Sequence, residues 1–413
     1  MNGYLEKHSF CKRLISASVS PGTFLIVVIP CHDETELIKT LQSLLDCDRT
    51  ASPVEVIVVV NSGENDDEKV LKQNAKTLQD ATEWIKNHPS EKISFRLIHV
   101  KELPQKHAGV GLARKIGMDE AVLRFDDIAG DDGVIVCLDA DCTVDAKYLP
   151  ELERYFREKP KVTGCSVYFE HPFEGNEFRQ KNYEGIINYE LFLRYYALAL
   201  RYTGFPYALQ TVGSCMAIRS SVYQKQGGMN RRKAGEDFYF LHKIFHLGDF
   251  TTLNTTRVIP SPRPSHRVPF GTGSAMNKCL NAETDYYPTY HIQCFTDLRT
   301  FFRLVPEFYY EDASSTFPVS LQKFLSEKSF SEKLAEIRLH SASQKMFVKR
   351  FFNWFDGFMV LKYMHFARDN FYPSMEITEA AKELIILSGR KLPHQNLSAK
   401  ELLLYYRNWE RKD

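Results

Sequence analysis

Three short apolar runs set the frame of the chain: TFLIVVIP from Thr23, VEVIVVVN from Val54 and GVIVCLD from Gly133. Each is rich in β-branched residues and gives way to polar residues at its C-terminal end. That is the pattern of central parallel strands covered on both faces. Between the first two runs Leu37, Ile38, Leu41, Leu44 and Leu45 recur at helical spacing, and Asp33 and Glu36 have the spacing of a capping box. The polar stretch 61–80 predicts a loop leading into an exposed helix. Ile93–Val100 predicts a further strand, and Gly109–Phe125 a helix after it. Strands alternating with helices predict an open, mostly parallel α/β sheet flanked by helices.

Further along, Val162–Phe169 and Gly213–Arg219 have the pattern of strands, and Glu177–Tyr202 that of one long aromatic-rich helix. Gly235–Gly248 predicts a helix with acidic residues in its first turn and a glycine stop. Ser261–Gly273 is a basic loop rich in proline and glycine. From about residue 285 the periodicity is mostly helical, notably over Ser331–Arg338, Lys345–Ala367 and Ile377–Leu387. The expected organisation is an N-terminal extension (1–20), an α/β domain (21–280) and a mainly α-helical C-terminal domain (281–413).

Composition narrows the class. Lys plus Arg (53) nearly cancels Asp plus Glu (52), so no overall field favours nucleic acid or anionic lipid. The nine cysteines include no CxxC pair, which argues against a zinc ribbon or a disulfide framework and fits reduced thiols. The first twenty residues lack the apolar core of a secretion signal, and no run approaches the roughly 18 apolar residues of a membrane span. A soluble, cytoplasmic protein is expected.

Asp139-Ala140-Asp141 closes the third apolar run. Two carboxylates one residue apart repel and are costly to desolvate unless something positive joins them. In open α/β sheets ligands bind beyond the C-terminal ends of the strands. Cys31-His32-Asp33-Glu34 and Asn61-Ser62 are expected at that same edge. Carboxylate oxygens there suit Mg²⁺ or Mn²⁺, which commonly bridge one or two carboxylates to substrate phosphates. The competing reading is a turn whose aspartates cap local amides. Glu236-Asp237 has two readings as well, a catalytic pair or ordinary acids favoured by a helix N-terminus. Arg263 and Arg267 either pair with phosphate oxygens, on a loop that Gly271 and Gly273 let fold over a ligand, or are solvated on a stiff surface loop.

Taken in order, IPCHDE (29–34), AGVGLARKIGMDEA (108–121), CLDADCTVDAKYL (137–149) and GSCMAIRSSVYQKQGGMNRRKAGEDFYF (213–240) resemble the motifs of family 2 glycosyltransferases with the GT-A fold. The resemblance covers about residues 22–275 and not the C-terminal third. It implies a Rossmann-like fold and transfer of a sugar from a UDP or GDP donor to an acceptor hydroxyl, with inversion and with Mn²⁺ or Mg²⁺. By resemblance Asp141 binds the metal directly, and Asp139 lies nearer the ribose or reaches the metal through water. His266 is the candidate third metal ligand. Asp237 occupies the position of the base, with Glu236 as neighbour or substitute. Pro30, His32 and Glu34 would flank the nucleoside, and Arg114 and Lys115 either approach the base or phosphates or are solvated on an exposed helix face. Asn61-Ser62 stands where many relatives carry Asp-Asp, which leaves the base of the donor open.

The Gln-x-x-Arg-Trp signature of processive synthases is absent, so a single addition is expected. The resemblance leaves the acceptor open among a glycan, a glycolipid and a small molecule, with polysaccharide or glycolipid assembly as the setting. The alternative is a catalytically degenerate protein that binds a nucleotide sugar or serves as a scaffold. A dinucleotide-dependent dehydrogenase is disfavoured, because no G-x-G-x-x-G follows the first strand. The aromatic segment Phe347–Pro373 has four readings: the core of a helical domain, a homodimer contact, a site for a lipid-linked acceptor, or a surface for peripheral membrane contact.

Overall fold

The structure, a computed structural model, describes residues 2–130, 132–267, 269, 271–284, 286–311 and 317–412. Val268 and Phe270 of the Ser261–Gly273 loop therefore lie outside the described residues. The chain forms two compact units, Met1–Gly175 with Leu209–Ser274, and Asn176–Ala208 with Ala275–Asp413. Residues 176–208, expected in the α/β domain, thus cluster with the helical one.

The first unit begins with α1 (Gly3–His8), β1 (Leu25–Cys31), α2 (Leu37–Leu45), β2 (Val54–Gly63), α3 (Glu68–Asn87) and β3 (Ile93–Leu103). It continues with α4 (Val110–Asp127), β4 (Val134–Cys137), β5 (Cys142–Val144), α5 (Tyr148–Glu158) and β6 (Gly164–Phe169). The second unit then contributes α6 (Gln180–Thr203), after which the first resumes with β7 (Met216–Arg219), α7 (Ser220–Lys225), α8 (Glu236–Phe245) and β8 (Phe250–Pro260).

The eight strands form one sheet in the order β3-β2-β1-β4-β7-β6-β8-β5. β3, β2, β1 and β4 are mutually parallel, as are β6 and β8, while the remaining pairings are antiparallel. The apolar runs behave as their composition requires, since every residue of β1, β2 and β4 is buried. Val28 pairs with Ile57 on one side and Cys137 on the other. This register brings the polar residues that follow β1, β2 and β4 to one edge.

Helix α4 lies on this sheet at close range, because a Cβ on Gly117 would sit 2.4 Å from Val28 Cγ1 and 3.0 Å from Val59 Cγ2. Its other side is covered too. Asp119 accepts hydrogen bonds from the hydroxyls of Tyr4 (2.7 Å) and Tyr223 (2.8 Å), and Glu120 accepts from the amides of Leu14 and Ile15. Arg13 pairs with Asp127 at 2.5 Å, and Arg124 donates to the Ala17 carbonyl and to Glu55. The N-terminal segment is therefore a strap over α4, and its contacts help to bury Lys115 and Asp119 there.

The expected capping box does not form. Glu36 is the N-cap of α2 without a side-chain bond, and Asp33 has a positive φ of 48°. Its amide donates to Asn74 instead, while Glu34 accepts from the Glu36 amide at 2.8 Å. The Asp33 position has been given over to the loop.

The second unit adds α9 (Thr272–Asn281), which crosses the unit boundary, then α10 (Ile292–Leu304), α11 (Val319–Ser326) and α12 (Phe330–Leu339). It closes with α13 (Gln344–Trp354), α14 (Gly357–Asn370), α15 (Ile377–Leu387) and α16 (Ala399–Lys412). The expected helix over 345–367 is two helices, because Asp356 caps α14 by accepting from the amides of Phe358 and Met359. Phe347, Phe351, Phe355 and Tyr363 join Leu198, Phe295, Phe301 and Tyr406 in one core. The aromatic segment is thus mainly core. Among the described residues no helix is long and apolar enough to cross a membrane.

Candidate active site

Beyond the C-terminal end of β4 the chain turns through Asp139 and Asp141, with the Cys142 amide bonded to the Asp139 carbonyl at 3.1 Å. Both carboxylates face arginines. Asp139 Oδ1 accepts from Arg114 Nη2 at 2.5 Å, and Asp141 Oδ2 accepts from Arg263 (3.1 Å from Nη2, 3.3 Å from Nε) and from Arg267 (3.4 Å). The positive partners of the aspartate pair are supplied by the protein itself.

Arg114 joins this turn to α8. Its Nη1 donates to Glu236 Oε1 while Nη2 holds Asp139. Both Arg114 and Glu236 are buried. Burial lifts the Glu236 carboxyl to about 7 even with Arg114 beside it. Burial opposes the charge on Arg114, but Glu236 and Asp139 outweigh it and keep the guanidinium ionised. Asp237 accepts from the Gly213 amide (2.9 Å) and the Phe238 amide (2.7 Å), and burial raises it above its ordinary range while Arg114 pulls the other way. Part of its role is therefore the helix-terminus role, with the carboxylate left beside Arg114. Gly213 makes room for this arrangement: a Cβ there would lie 2.9 Å from Arg114 Nη1 and 3.1 Å from Asp237 Oδ2.

A second cluster surrounds Glu34, which is buried. Its Oε2 takes Arg263 Nη2 and, at 3.0 Å, Arg267 Nη1, which also donates to the His32 carbonyl. The two arginines thus clasp Glu34 and Asp141 together. His32 Nδ1 lies 2.9 Å from the Asn61 carbonyl and 3.7 Å from Asp66 Oδ2. Asn74 donates to that same carbonyl, and the Thr77 hydroxyl to the Glu34 carbonyl. Asn74 and Thr77 are buried on a helix expected to be exposed, and no sequence signal marks them.

The structure therefore brings Arg114, Asp139, Glu236 and Asp237 together, and separately Glu34, Asp141, Arg263 and Arg267, with His32 and Asn61 adjoining. Pro30 lies buried inside β1 opposite Val59. His266 is exposed, and among the described residues no group of three or more His, Cys, Asp or Glu side chains is placed to hold a metal ion. The donors that remain for a cation are the two aspartates, whose side chains are 40% (Asp139) and 23% (Asp141) exposed. Two reachable carboxylates fit a hard divalent ion whose other ligands are water and substrate phosphate.

An open α/β sheet in this order, with paired acids at the strand ends, is the GT-A architecture. The family described as "Glycosyl transferase family 2" matches residues 26–227, and that segment of the chain belongs to the family, making the protein a glycosyltransferase. The match includes Arg114, Asp139 and Asp141 and ends before Glu236. No curated protein matches the chain.

Among solved structures it is similar to residues 1–349 of TarS from S. aureus in complex with UDP-GlcNAc. That likeness has 12% identity and a TM-score of 0.42 over 91% of this chain and 95% of that one. It is also similar to the mannosyltransferase PcManGT from Pyrobaculum calidifontis in complex with GDP-Man and Mn²⁺, with 12% identity and a TM-score of 0.38 over 99% of this chain and 91% of that one.

Proposed function

We propose that the protein transfers a single sugar from a UDP- or GDP-sugar to an acceptor hydroxyl, with inversion, a divalent cation at Asp139 and Asp141, and Asp237 as base. One observation carries the reading: Arg114 ties Asp139, 25 residues along the chain, to Glu236, 122 residues along, so the donor-side and acceptor-side acids share one guanidinium. A cation bound there would act as a Lewis acid for the departing diphosphate.

The chain's own residues do the rest. Glu34 and Asp141 are balanced by Arg263 and Arg267. As a donor enters, the arginines can exchange Asp141 for diphosphate oxygens, bidentate partners of the same geometry. Charge balance is kept throughout. His32 and Asn61 border the space expected for the nucleoside. Asp237 takes the acceptor proton, and its place beside Arg114 favours the ionised form that a base requires. Glu236 holds Arg114 and is a positioning residue.

Calorimetry and turnover test the reading together. A UDP- or GDP-sugar should bind much more weakly when Mn²⁺ and Mg²⁺ are withheld. Asp237→Asn should retain donor binding while transfer falls by at least about 100-fold. Donor binding that ignores the metal would remove the cation from this reading, and full transfer by Asp237→Asn would remove the base.

A further inference from the structure

Helix α13 turns its aromatic residues inward and its basic residues outward. Phe347, Phe351 and Phe352 are buried, whereas Lys345, Met346, Lys349, Arg350 and Asn353 are exposed. Between Glu336 and Asp356 the sequence has no acidic residue, but it has Arg338, Lys345, Lys349 and Arg350. Among the described residues no carboxylate pairs with Lys345, Lys349 or Arg350.

The two most exposed large apolar side chains recorded in the protein, Leu339 and Tyr310, lie on segments that contact this helix or one another. Leu339 is 82% exposed and Tyr310 71%, and Met346 on α13 itself is 43% exposed. Arg338 donates to the carbonyls of Phe308 (2.6 Å) and Glu311 (3.0 Å), which sets the end of α12, and so Leu339, against the segment that bears Tyr310. Gln344 donates to the Pro306 carbonyl at 3.1 Å, and the Phe347 ring lies 5.8 Å from that of Tyr309, which anchors α13 on the same segment. Among the described residues, acidic side chains at this place are Glu307 and Glu311, both exposed, and Glu336, which is paired with Lys333, while Asp312, next in the sequence, lies outside the described residues.

Cations beside exposed Leu, Tyr and Met match a surface that is anionic outside and apolar just beneath. A second copy of the chain fits poorly, because an isologous contact would oppose α13 to itself and set like charges together. A nucleic acid would stack on Tyr310 but has no use for exposed Leu339 and Met346. We propose that Tyr310, Leu339, Lys345, Met346, Lys349 and Arg350 form a docking surface for a bilayer containing anionic lipids. The cations meet the headgroups and the apolar side chains enter the interfacial layer. The lipid-facing side of this segment is thus its basic face, and the aromatic face stays in the core.

Co-sedimentation of the full chain with vesicles tests this. Binding is expected to phosphatidylcholine vesicles that contain phosphatidylglycerol, not to phosphatidylcholine alone, and it should weaken steeply as salt is raised, a measurement that needs no variant. Each cation near an anionic surface strengthens binding roughly fivefold, so Lys345→Gln/Lys349→Gln/Arg350→Gln should weaken it about 100-fold. Leu339→Ser/Met346→Ser should also weaken vesicle binding, by about tenfold or more, while binding to soluble heparin is unchanged. All five positions are exposed, and an unaltered unfolding midpoint checks that each variant folds. Binding to both vesicle types alike, binding to neither, or apolar variants that bind vesicles like the wild type would overturn the proposal. The last outcome would mark a polyanion site instead.

Discussion

Arg114 and Glu236 form a buried pair whose balance depends on pH, because the Glu236 carboxyl is lifted from its ordinary 4.5 to about 7. Between those values the unfolded chain has released the proton that the folded chain still holds. Glu236 therefore lowers stability as pH rises from about 4.5 to 7, and Glu236→Gln should flatten that part of a stability–pH curve. Removing Arg114 pushes the carboxyl higher still. Arg114→Met should be tolerated at pH 6, where Glu236 keeps its proton, and become costly toward pH 9, approaching about 3–5 kcal/mol. Adding Glu236→Gln should abolish that pH dependence. Urea unfolding at both pH values measures each variant, and a cost of Arg114→Met that does not grow with pH would count against the pair. The acids of this site were legible as spacing, in the DxD after an apolar run and the Glu-Asp opening a helix. The role of Arg114 was not, because its partners lie 25 and 122 residues away.

At the level of elements, two glycines separate what holds the fold from what holds the chemistry. Gly117 lets α4 settle on β1 and β2, so Gly117→Ala should overpack Val28 and cost about 1–3 kcal/mol, read as a lower unfolding midpoint. Gly213 faces Arg114 and Asp237. Gly213→Ala should displace them by a fraction of an ångström and cut turnover by about 100-fold, with donor affinity and the unfolding midpoint nearly unchanged. If both variants lose stability and activity in proportion, the division of labour is wrong. Elements whose burial is uniform were legible: β1, β2 and β4 are buried at every residue and read directly as strands. The three-residue β5 is too short to show a period, and β8 mixes polar residues with a half-buried surface, so neither stood out. Asp33 shows the opposite failure, where a good capping sequence was overridden because the loop that carries Glu34 needed its backbone elsewhere.

Across the whole molecule the path of the chain departs from the simple order of an α/β domain followed by a helical one. Helix α6 interrupts the first unit in sequence, yet Leu191, Tyr195 and Leu198 are buried in the core of the second, with Phe295, Leu384 and Tyr406. Glu190 and Arg194 of α6 also form a buried ion network with Arg407 and Glu410 of α16. The sequence held no cue to this excursion, since a helix with apolar and aromatic residues on most of its faces has the same pattern whichever core it joins, and the family match runs straight through it. A cut at residue 280 should therefore fail as a domain boundary. The fragment 1–280 keeps α6 but loses α10, α15 and α16, so it exposes several large apolar side chains worth about 1.5–3 kcal/mol each when buried, and strands Arg194 and Glu190 without half of their network. It should elute as aggregates in size-exclusion chromatography and bind a hydrophobic dye strongly, whereas the full chain should do neither. Were the fragment instead monomeric, dye-silent and cooperative in unfolding, α6 would belong to the first unit, and the second would have to be stable without it.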